Sequence, residues 1–510
     1  MAQGFLMASD ENECPEDVGY DYFQNLLSRS FFQEVQVSLL GRVEFLRAMN
    51  LPSSGIEIVP DSIGGLEHLR CLDLSRNENL KKLPNSISKL QNLQLLNLTS
   101  CHKLEELPRD ISKLISLRSL EIDFCTSLTY MPSGLSQLTN LQVLSRFVLR
   151  KSTSDTKKGQ SAELSELMRL NNLRRQLHIT NLKHGMESKA ANLKEKRHLR
   201  SLALFWDPDD NDSEAALNDE KTLEGIQSLT NLKNLGLIRY GGVVDQFRSL
   251  KVLGLVYLPA LQYVMKNNGW PTTLIVLPFL QELHLVDLPN IKGWWKKDSV
   301  DDKDDDDSIT EKTNHRLPSF SRLSFLNIKN CPQLTCMPLF PSLDNELILM
   351  NTSWKPFMQT ILNVASNKMT RDEASSSSAS SESLPLSKLM YLNIMDNQDL
   401  ESLPDWLSTL SSLKILTLED CPNLKTLSPG IQHFTSLREL RIFNCQKLDL
   451  SHGDVWRALR SLRILKLRAL PQLVDLPVEI QQLNTLQYVH VEKCENHNLS
   501  TRTSLQIRVV

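Results

Sequence analysis

Residues 93–116 read Leu93-Gln-Leu-Leu-Asn-Leu-Thr-Ser-Cys-His-Lys-Leu-Glu-Glu-Leu-Pro-Arg-Asp-Ile-Ser-Lys-Leu-Ile-Ser116, and this stretch is one copy of a repeated unit. The preceding 24 residues, which begin at Leu69, keep leucine, isoleucine and proline at the same positions. The series restarts at Leu117 and Leu141, each time after 24 residues. A period of about 20 to 50 residues is typical of repeat proteins, in which each unit packs on its neighbours.

A second regular block lies towards the end of the chain. Its units follow one another at steps of 24, 24, 25 and 24 residues and begin at Leu389, Leu413, Leu437, Leu462 and Leu486. A slightly shorter unit precedes the first block, beginning at Leu46 and ending with Ile63 and Leu66. The repeat therefore extends over most of the chain.

The pattern inside each unit predicts one strand and one turn-rich return. In Leu-x-x-Leu-x-Leu the last two leucines alternate as in a strand with one buried face. The following Leu-x-x-Leu-Pro-x-x-Ile-x-x-Leu has nearly helical spacing interrupted by proline, which favours short helical or irregular turns. One unit cannot bury its own leucines, so about 14 to 17 units should stack around a continuous core. The predicted fold is an α/β leucine-rich-repeat solenoid, with a curved parallel sheet on the concave side, short helices and irregular turns on the convex side and a small helical N-terminal cap.

Six of the nine cysteines occupy one position of the repeat. Asn77 and Asn397 hold that position in other units, where the chain turns inward after the strand and a side chain must satisfy backbone groups or fill a small gap. A zinc site from Cys494 and His497 would lack two further ligands at suitable spacing. We therefore expect reduced, buried thiols. The six cysteines are Cys101, Cys125, Cys331, Cys421, Cys445 and Cys494.

The predicted domain organisation has four segments. These are an N-terminal segment at 1–38, regular repeats at 39–145, irregular repeats at 146–384 and regular repeats at 385–510. Residues 146–198 break the period, and helical character is predicted around 161–170 and 188–196.

Polar insertions at 207–219, 298–314 and 366–383 interrupt the irregular segment. The middle insertion is rich in aspartate but lacks the glycine bend and glutamate spacing of a calcium-binding loop, which favours a solvated insertion.

Composition and motifs narrow the function. The chain has 510 residues, 41% hydrophobic and 23% charged, with a net charge of −3, so no basic excess points to nucleic acid. The N-terminus does not resemble a signal peptide and no run of about 18 apolar residues occurs, so we expect a cytoplasmic protein without a membrane span. Because no phosphate loop, Gly-x-Ser-x-Gly or His-Glu-x-x-His motif is found, we expect no enzymatic activity, no cofactor and no bound metal.

Two groups of residues carry a family resemblance. The first is Met1–Leu6 together with Asp17–Val35, which contains Ser-Arg-Ser-Phe-Phe-Gln. The second comprises 176–182, 191–204 and 277–289, followed by Ile-Lys-Gly-Trp-Trp at 291–295. Both resemble plant nucleotide-binding leucine-rich-repeat disease resistance proteins of the coiled-coil class. By this resemblance, residues 1–38 are a remnant of the winged-helix part of the nucleotide-binding region, and the remainder is the repeat region.

The resemblance implies that the chain binds a pathogen effector or a host protein in plant defence. The phosphate-binding Gly-x-x-x-x-Gly-Lys-Ser/Thr loop and the Met-His-Asp motif of the family do not occur here, so the resemblance is to a truncated form without the nucleotide switch. The alternative function is that of a substrate adaptor of a ubiquitin ligase. Such an adaptor would need a ligase-docking motif before the repeats, and residues 1–38 resemble none.

The predicted binding site lies on the concave face, where the residues between the strand leucines point away from the core. In the first block this face is mildly acidic, with Asp73, Asn97, Glu121, Asp123 and Phe124. In the last block it runs from acidic to basic and carries aromatic residues, and there Asp396, Asp420 and Lys493 are also predicted to face the solvent. Aromatic residues and arginine on a rigid exposed sheet are typical of protein-binding hot spots. The predicted site residues are Tyr391, Arg441, Phe443, Lys466, Arg468 and Tyr488.

Overall fold

The computed structural model describes residues 46–151, 162–184, 191–209, 223, 229, 231–240, 249–265, 276–295, 318–362, 384–403, 405–427, 430–473 and 476–494. The chain divides into two compact units, which are Met1–Leu232 and Lys233–Val510. The predicted N-terminal segment 1–38, the insertion 298–314, the insertion 366–383 and all but the first three residues of the insertion 207–219 lie outside the described residues.

The described part of the first unit contains eight parallel strands. Strands β1–β5 form one sheet in chain order, and β6, β7 and β8 pair side by side. Their bounds are β1 Ala48–Asn50, β2 Cys71–Asp73, β3 Leu95–Asn97, β4 Ser119–Glu121, β5 Val143–Leu144, β6 Arg146–Val148, β7 Arg174–Leu182 and β8 His198–Trp206.

The described part of the second unit contains ten parallel strands, each hydrogen-bonded to the next in chain order. They are β9 Asn234–Ile238, β10 Val252–Val256, β11 Glu282–Val286, β12 Phe325–Cys331, β13 Glu346–Thr352, β14 Tyr391–Met395, β15 Ile415–Glu419, β16 Glu439–Phe443, β17 Ile464–Arg468 and β18 Tyr488–Glu492. Since β5 and β6 follow one another within a single repeat, the eighteen strands belong to seventeen repeats.

Short helical turns connect the strands, as the proline-interrupted spacing predicts. The 3₁₀ turns are Asp61–Gly65, Asn85–Lys89, Ile111–Lys113, Leu135–Gln137, Leu164–Arg169, Leu193–Glu195, Asp405–Thr409 and Gly430–His433. Two α-helices, α1 (Gly453–Ala458) and α2 (Val478–Gln481), serve the same role near the end of the chain, and residues 355–362 are also helical. None of the helices within these described parts has the length and apolar composition that a bilayer crossing needs.

The sheet register reproduces the period of the sequence. Cys71 pairs with Leu95 and Leu95 with Ser119, each pair 24 residues apart. In the second block Ile415 pairs with Glu439 at the same step, and Glu439 pairs with Ile464 at the single step of 25. Parallel neighbours are one repeat apart, so the repeat length sets which residues face each other.

The core consists of the leucines that define the repeat. Leu72 and Leu74 of the first block are buried, as are Leu96 and Leu98 one repeat later. Burying each such side chain contributes roughly 1.5 to 3 kcal/mol. The predicted leucine-rich-repeat architecture of parallel strands and short turns is therefore confirmed.

Asn77 satisfies backbone groups at the inward-turning position, as predicted. The amide oxygen of Asn77 accepts hydrogen bonds from the backbone N–H groups of Ser54 (3.0 Å) and Ile56 (2.9 Å). Its amide nitrogen donates to the carbonyl oxygens of Leu51 (2.9 Å) and Leu74 (2.8 Å). One side chain thus satisfies four backbone groups in two neighbouring repeats.

Cysteines take the same position in other repeats with fewer contacts. The thiol of Cys101 donates to the Leu74 carbonyl (3.3 Å), and that of Cys125 donates to the Leu98 carbonyl (3.1 Å). All six cysteines of this position are free and buried, which confirms the prediction. Burial raises the pKa of the Cys125 and Cys331 thiols to about 12, so both stay protonated at neutral pH.

The region 146–198 has more strand than its sequence predicts. In their described parts, 162–170 and 191–196, the two stretches of predicted helical character form the short 3₁₀ turns Leu164–Arg169 and Leu193–Glu195. Two strands were not predicted: β6, which precedes the first of these stretches, and the nine-residue β7, which lies between the two. β7 pairs with β8 through two register shifts, which offset its residues from the regular leucine spacing. Pairing with a neighbouring strand, rather than local periodicity, therefore determines the conformation here.

Candidate functional site

Five adjacent strands, β14–β18, present three aligned rows of side chains on the face opposite the core. We call this surface the open face. The first row is Tyr391, Ile415, Glu439, Ile464 and Tyr488. The second row is Asn393, Thr417, Arg441, Lys466 and His490, and the third is Met395, Glu419, Phe443, Arg468 and Glu492.

All six predicted site residues lie on the open face. Arg441 and Lys466 are neighbours in the second row, and Phe443 and Arg468 are neighbours in the third. Tyr391 and Tyr488 lie at the two ends of the first row, four strands apart, which corresponds to about 19 Å. The four central residues therefore form one group, and the two tyrosines mark its flanks.

A buried carboxylate lies beneath the two cations of the second row. Glu439 accepts a hydrogen bond from Nε of Arg441 (2.7 Å) and forms a salt bridge with Nζ of Lys466 (2.9 Å). Its side chain is 11% exposed, whereas those of Arg441 and Lys466 are 35% and 34% exposed. Burial opposes ionisation of Glu439, but the two cations outweigh it and lower its pKa. The solvent-facing part of the cluster is therefore cationic.

Arg468 is held in place by an aromatic ring and a carboxylate. Its guanidinium lies 4.9 Å from the centroid of the Phe443 ring, within the range of a cation–π contact. Nη2 of Arg468 is 3.7 Å from Oε1 of Glu419. The arginine plane is thus supported from the strand beside it while remaining exposed to a partner.

The outer strand adds an aromatic pair. The rings of Tyr488 and His490 stack with centroids 6.4 Å apart and an angle of 8° between their planes. His490 also lies 3.7 Å from Glu492. This pair extends the surface at the edge of the described sheet.

Three residues predicted as part of the exposed strip lie just beyond the strands instead. Asp396, Asp420 and Lys493 directly follow β14, β15 and β18, and each has a positive φ, between 48° and 55°. Phe124 of the first block, with φ 60°, follows the same pattern. The left-handed backbone turns these side chains away from the strand alternation, so they form a row of corners beside the open face.

The sequence pattern missed Glu439, the residue that organises the cations. It lies immediately before the second leucine of its repeat, a position equivalent to Tyr391 and Tyr488. Strand alternation alone could have found it, since a residue next to a buried strand leucine points to the other face of the sheet.

The first block has its own polar group. Asp123 lies 3.5 Å from Nδ1 of His178 and accepts a hydrogen bond from Gln176 at 3.2 Å. Burial, reinforced by the charge of Asp123, raises the pKa of Glu121 to about 7. This group is more acidic and less aromatic than the open face.

The described residues contain no group of three or more histidine, cysteine, aspartate or glutamate side chains placed to hold a metal ion.

Repeated parallel strands, buried leucines and an exposed strand face define the class of protein. The family described as "Leucine-rich repeat region" matches residues 25–286, and the chain belongs to this family.

A named relative refines this assignment. The chain is 34% identical over 479 residues to a protein of Solanum bulbocastanum named "Putative disease resistance protein RGA1". The match covers 81% of this chain and 45% of the relative, so the chain spans about half the length of the curated relative it matches. The predicted resemblance to plant disease resistance proteins is confirmed.

Solved leucine-rich-repeat structures also align with the chain. A leucine-rich-repeat protein of Leptospira interrogans aligns at 20% identity with a TM-score of 0.38, covering 92% of this chain and 93% of that one. An internalin of Listeria monocytogenes aligns at 13% identity and a TM-score of 0.32, with the same two coverages. The repeat ectodomain of a membrane receptor kinase of Arabidopsis thaliana aligns at 17% identity and a TM-score of 0.34, covering 88% of this chain and 56% of that one.

Proposed function

We propose that the chain is a protein-recognition scaffold in plant defence, and that the open face of β14–β18 binds a pathogen effector or a host protein. The observation that carries the proposal is the Arg468–Phe443 pair, placed in register beside Arg441 and Lys466 on the two adjacent strands β16 and β17. The name of the Solanum relative supports the biological setting.

The open face suits protein recognition because its side chains are arranged before a partner arrives. Strands β14–β17 are each hydrogen-bonded to two neighbours, so little of their backbone entropy remains to be lost on binding. Arginine and tyrosine are enriched among residues that dominate interface energies. The contacts of Arg468 with Phe443 and Glu419 also restrict its rotamers in advance.

The size of the surface indicates what a partner must cover. Five strands and three rows measure about 19 by 13 Å, or roughly 250 Å². A stable interface buries about 800 Å² on each partner. The six residues therefore form the centre of an interface, and a partner would extend beyond the open face onto adjoining strands.

The charge arrangement indicates the chemistry of the partner. The carboxylate of Glu439 is shielded, while its two cations and Arg468 face the solvent. A complementary surface would offer carboxylates or backbone carbonyl oxygens to these cations. Aromatic or aliphatic side chains of the partner would pack against Tyr391 and Tyr488.

The proposal is tested by proximity labelling in plant tissue with the full chain as bait, followed by calorimetry with the recovered partner. Phe443→Ala and Arg468→Ala should each weaken binding by about 1 kcal/mol or more, which is about fivefold in Kd. Because the two side chains contact each other, their effects should not add in the double variant.

A matched control is available in the same unit. Arg239 lies 4.7 Å from the ring centroid of Tyr257, the same type of contact, but both residues lie at the corners that follow β9 and β10. Arg239→Ala and Tyr257→Ala should leave binding unchanged. Wild-type affinity of both open-face variants, with binding abolished by Glu121→Ala or Phe124→Ala, would place the site in the first block. Recovery of ubiquitin-ligase subunits would favour the adaptor function.

A further inference from the structure

An apolar groove opens at the N-terminal edge of the first unit. Its volume is about 1050 Å³, and it borders β1, the edge strand of its sheet. The apolar residues that line it include Met49, Leu51, Ile56, Ile58, Val59 and Ile63. Ile58 is 81% exposed, more than any other large hydrophobic side chain of the described residues.

Among the described residues, the groove is an end of the repeat core that no neighbouring repeat covers. Leu51 is 36% exposed, whereas the equivalent residues of the next two repeats, Leu74 and Leu98, are buried. Leu66 is likewise partly exposed, and its equivalent Leu90 is fully buried. Each internal repeat is covered on both sides, but this repeat has a described neighbour on one side only. Repeat proteins need a capping element at such an end.

We infer that residues 22–32 of the same chain occupy this groove and cap the first unit. Their sequence predicts a helix with one apolar face, formed by Tyr22, Phe23, Leu26, Leu27, Phe31 and Phe32. A helix of eleven residues is about 16 Å long. Its aromatic and leucine side chains match the groove in chemistry, and a groove of this volume accommodates several of them.

The connection between the segment and the groove favours this occupant over a separate molecule. Thirteen residues, 33–45, link the segment to Leu46, two residues before β1. Fully extended they span at most about 45 Å, which is ample because Met49 and Leu51 themselves line the groove. A tether of this length gives an effective concentration in the millimolar range. A second chain would have to exceed that concentration to compete.

Thermal unfolding of the full chain tests the inference with two matched substitutions. Ile58→Arg places a charge in the groove, whereas Ile115→Arg places one at another exposed isoleucine of the same unit (58% exposed). If residues 22–32 cover Ile58, its variant should lose several degrees in Tm, and protease cleavage within residues 1–45 should become several-fold faster. The Ile115 variant should match the wild type in both measurements. Equal behaviour of the two variants would overturn the inference.

A photo-crosslinking amino acid at position 58 of the full chain identifies the occupant directly. The expected product is an intramolecular cross-link that maps to residues 22–32 by mass spectrometry. Leu26→Asp should abolish it, because this substitution places a charge on the apolar face of the predicted helix. A cross-link between two chains, or one that maps elsewhere in the chain, would show that the segment is not the cap.

Discussion

The inward-turning position of the repeat accepts two types of side chain, asparagine and cysteine. Asn77 makes four hydrogen bonds to backbone groups of two repeats. Cysteine makes fewer and weaker hydrogen bonds but fills the same small space. The Cys421 thiol, for example, donates to the Glu419 carbonyl at 3.4 Å. Asparagine and cysteine are therefore interchangeable here because both fit and neither leaves an unpaired charge.

The first prediction concerns this position in the second unit. Cys421→Asn should change the free energy of unfolding by less than about 1 kcal/mol, since asparagine holds the position at Asn397 in the preceding repeat. Cys421→Arg would bury an unpaired charge and should lower that free energy by several kcal/mol. Urea unfolding of both variants measures the difference.

The control for the arginine variant is Gln432→Arg, at an exposed position of the same repeat, which should be neutral. Reaction of Cys125 and Cys331 with a thiol reagent at pH 8 should be slow in the folded chain and fast in urea, because burial raises both thiol pKa values to about 12. Rapid native labelling of these thiols would refute their assignment as packing residues.

At the scale of elements, the 3₁₀ turn Leu164–Arg169 is joined to the repeats on both sides by charged side chains. Glu166 of this turn accepts hydrogen bonds from the backbone N–H groups of Gly134 and Ser136, each at 2.8 Å. Burial raises the pKa of Glu166, but these donors outweigh it, so the net pKa is lowered. The carboxylate thus caps the turn of the preceding repeat.

Lys196, from the following repeat, closes the other end of this turn. Its ammonium donates to the carbonyl oxygens of Leu167 (2.7 Å) and Leu170 (3.3 Å), and the side chain is fully buried. Burial lowers the pKa of Lys196 from 10.5 to about 8. Hydrogen bonds to two carbonyls therefore compensate only part of the cost of removing the charge from water.

The pH dependence of folding stability, compared between the wild type and Lys196→Met, tests this compensation. Between pH 8 and 10.5 the unfolded chain keeps the lysine proton while the folded chain releases it. Folding stability of the wild type should therefore rise with pH across this window, relative to Lys196→Met, by on the order of 2 kcal/mol. Denaturant unfolding of both proteins at several pH values measures the difference. Parallel pH profiles would mean that Lys196 titrates normally in the folded chain.

The strands of the second unit stay in register regardless of how many residues separate them. β13 and β14 pair residue by residue although Glu346 and Tyr391 are 45 positions apart, and β11 pairs with β12 across 43 positions. The regular step is 24. The predicted insertions 298–314 and 366–383 fall within these two long connections, so the excess residues do not alter the stacking of the strands.

Replacement of residues 366–383 by an eight-residue glycine–serine linker should therefore preserve folding. The cost of closing a loop changes by only about 0.6 kcal/mol for each doubling of its length, so Tm should stay within about two degrees of the wild type. As a control, removal of the eighteen residues 405–422 takes away most of one regular repeat and should unfold the second unit. A loss of several degrees in the linker variant would show that the insertion contributes to the core.

The repeat, its length, the buried leucines and the role of the inward-turning cysteines could all be predicted from the sequence. Each repeat contacts its neighbours at a fixed sequence separation. The position of a residue in the repeat therefore determines whether it is buried and which residue of the next strand lies beside it. The six site residues were placed on one face for the same reason, although their role in binding stays a prediction. The resemblance to plant disease resistance proteins was also carried by local motifs.

Features that depend on contacts between different repeats could not be predicted in this way and required the three-dimensional structure. Strand β7 forms because β8 offers it a partner, and its shifted register hides the leucine spacing. Glu439 anchors Arg441 and Lys466 because three side chains from two strands meet there, a distance relation that no single repeat contains. Asp396, Asp420 and Lys493 leave the open face because a left-handed backbone follows each strand. The repeat period determines the face of the sheet on which a side chain lies, whereas its contacts depend on the distances to side chains of other repeats.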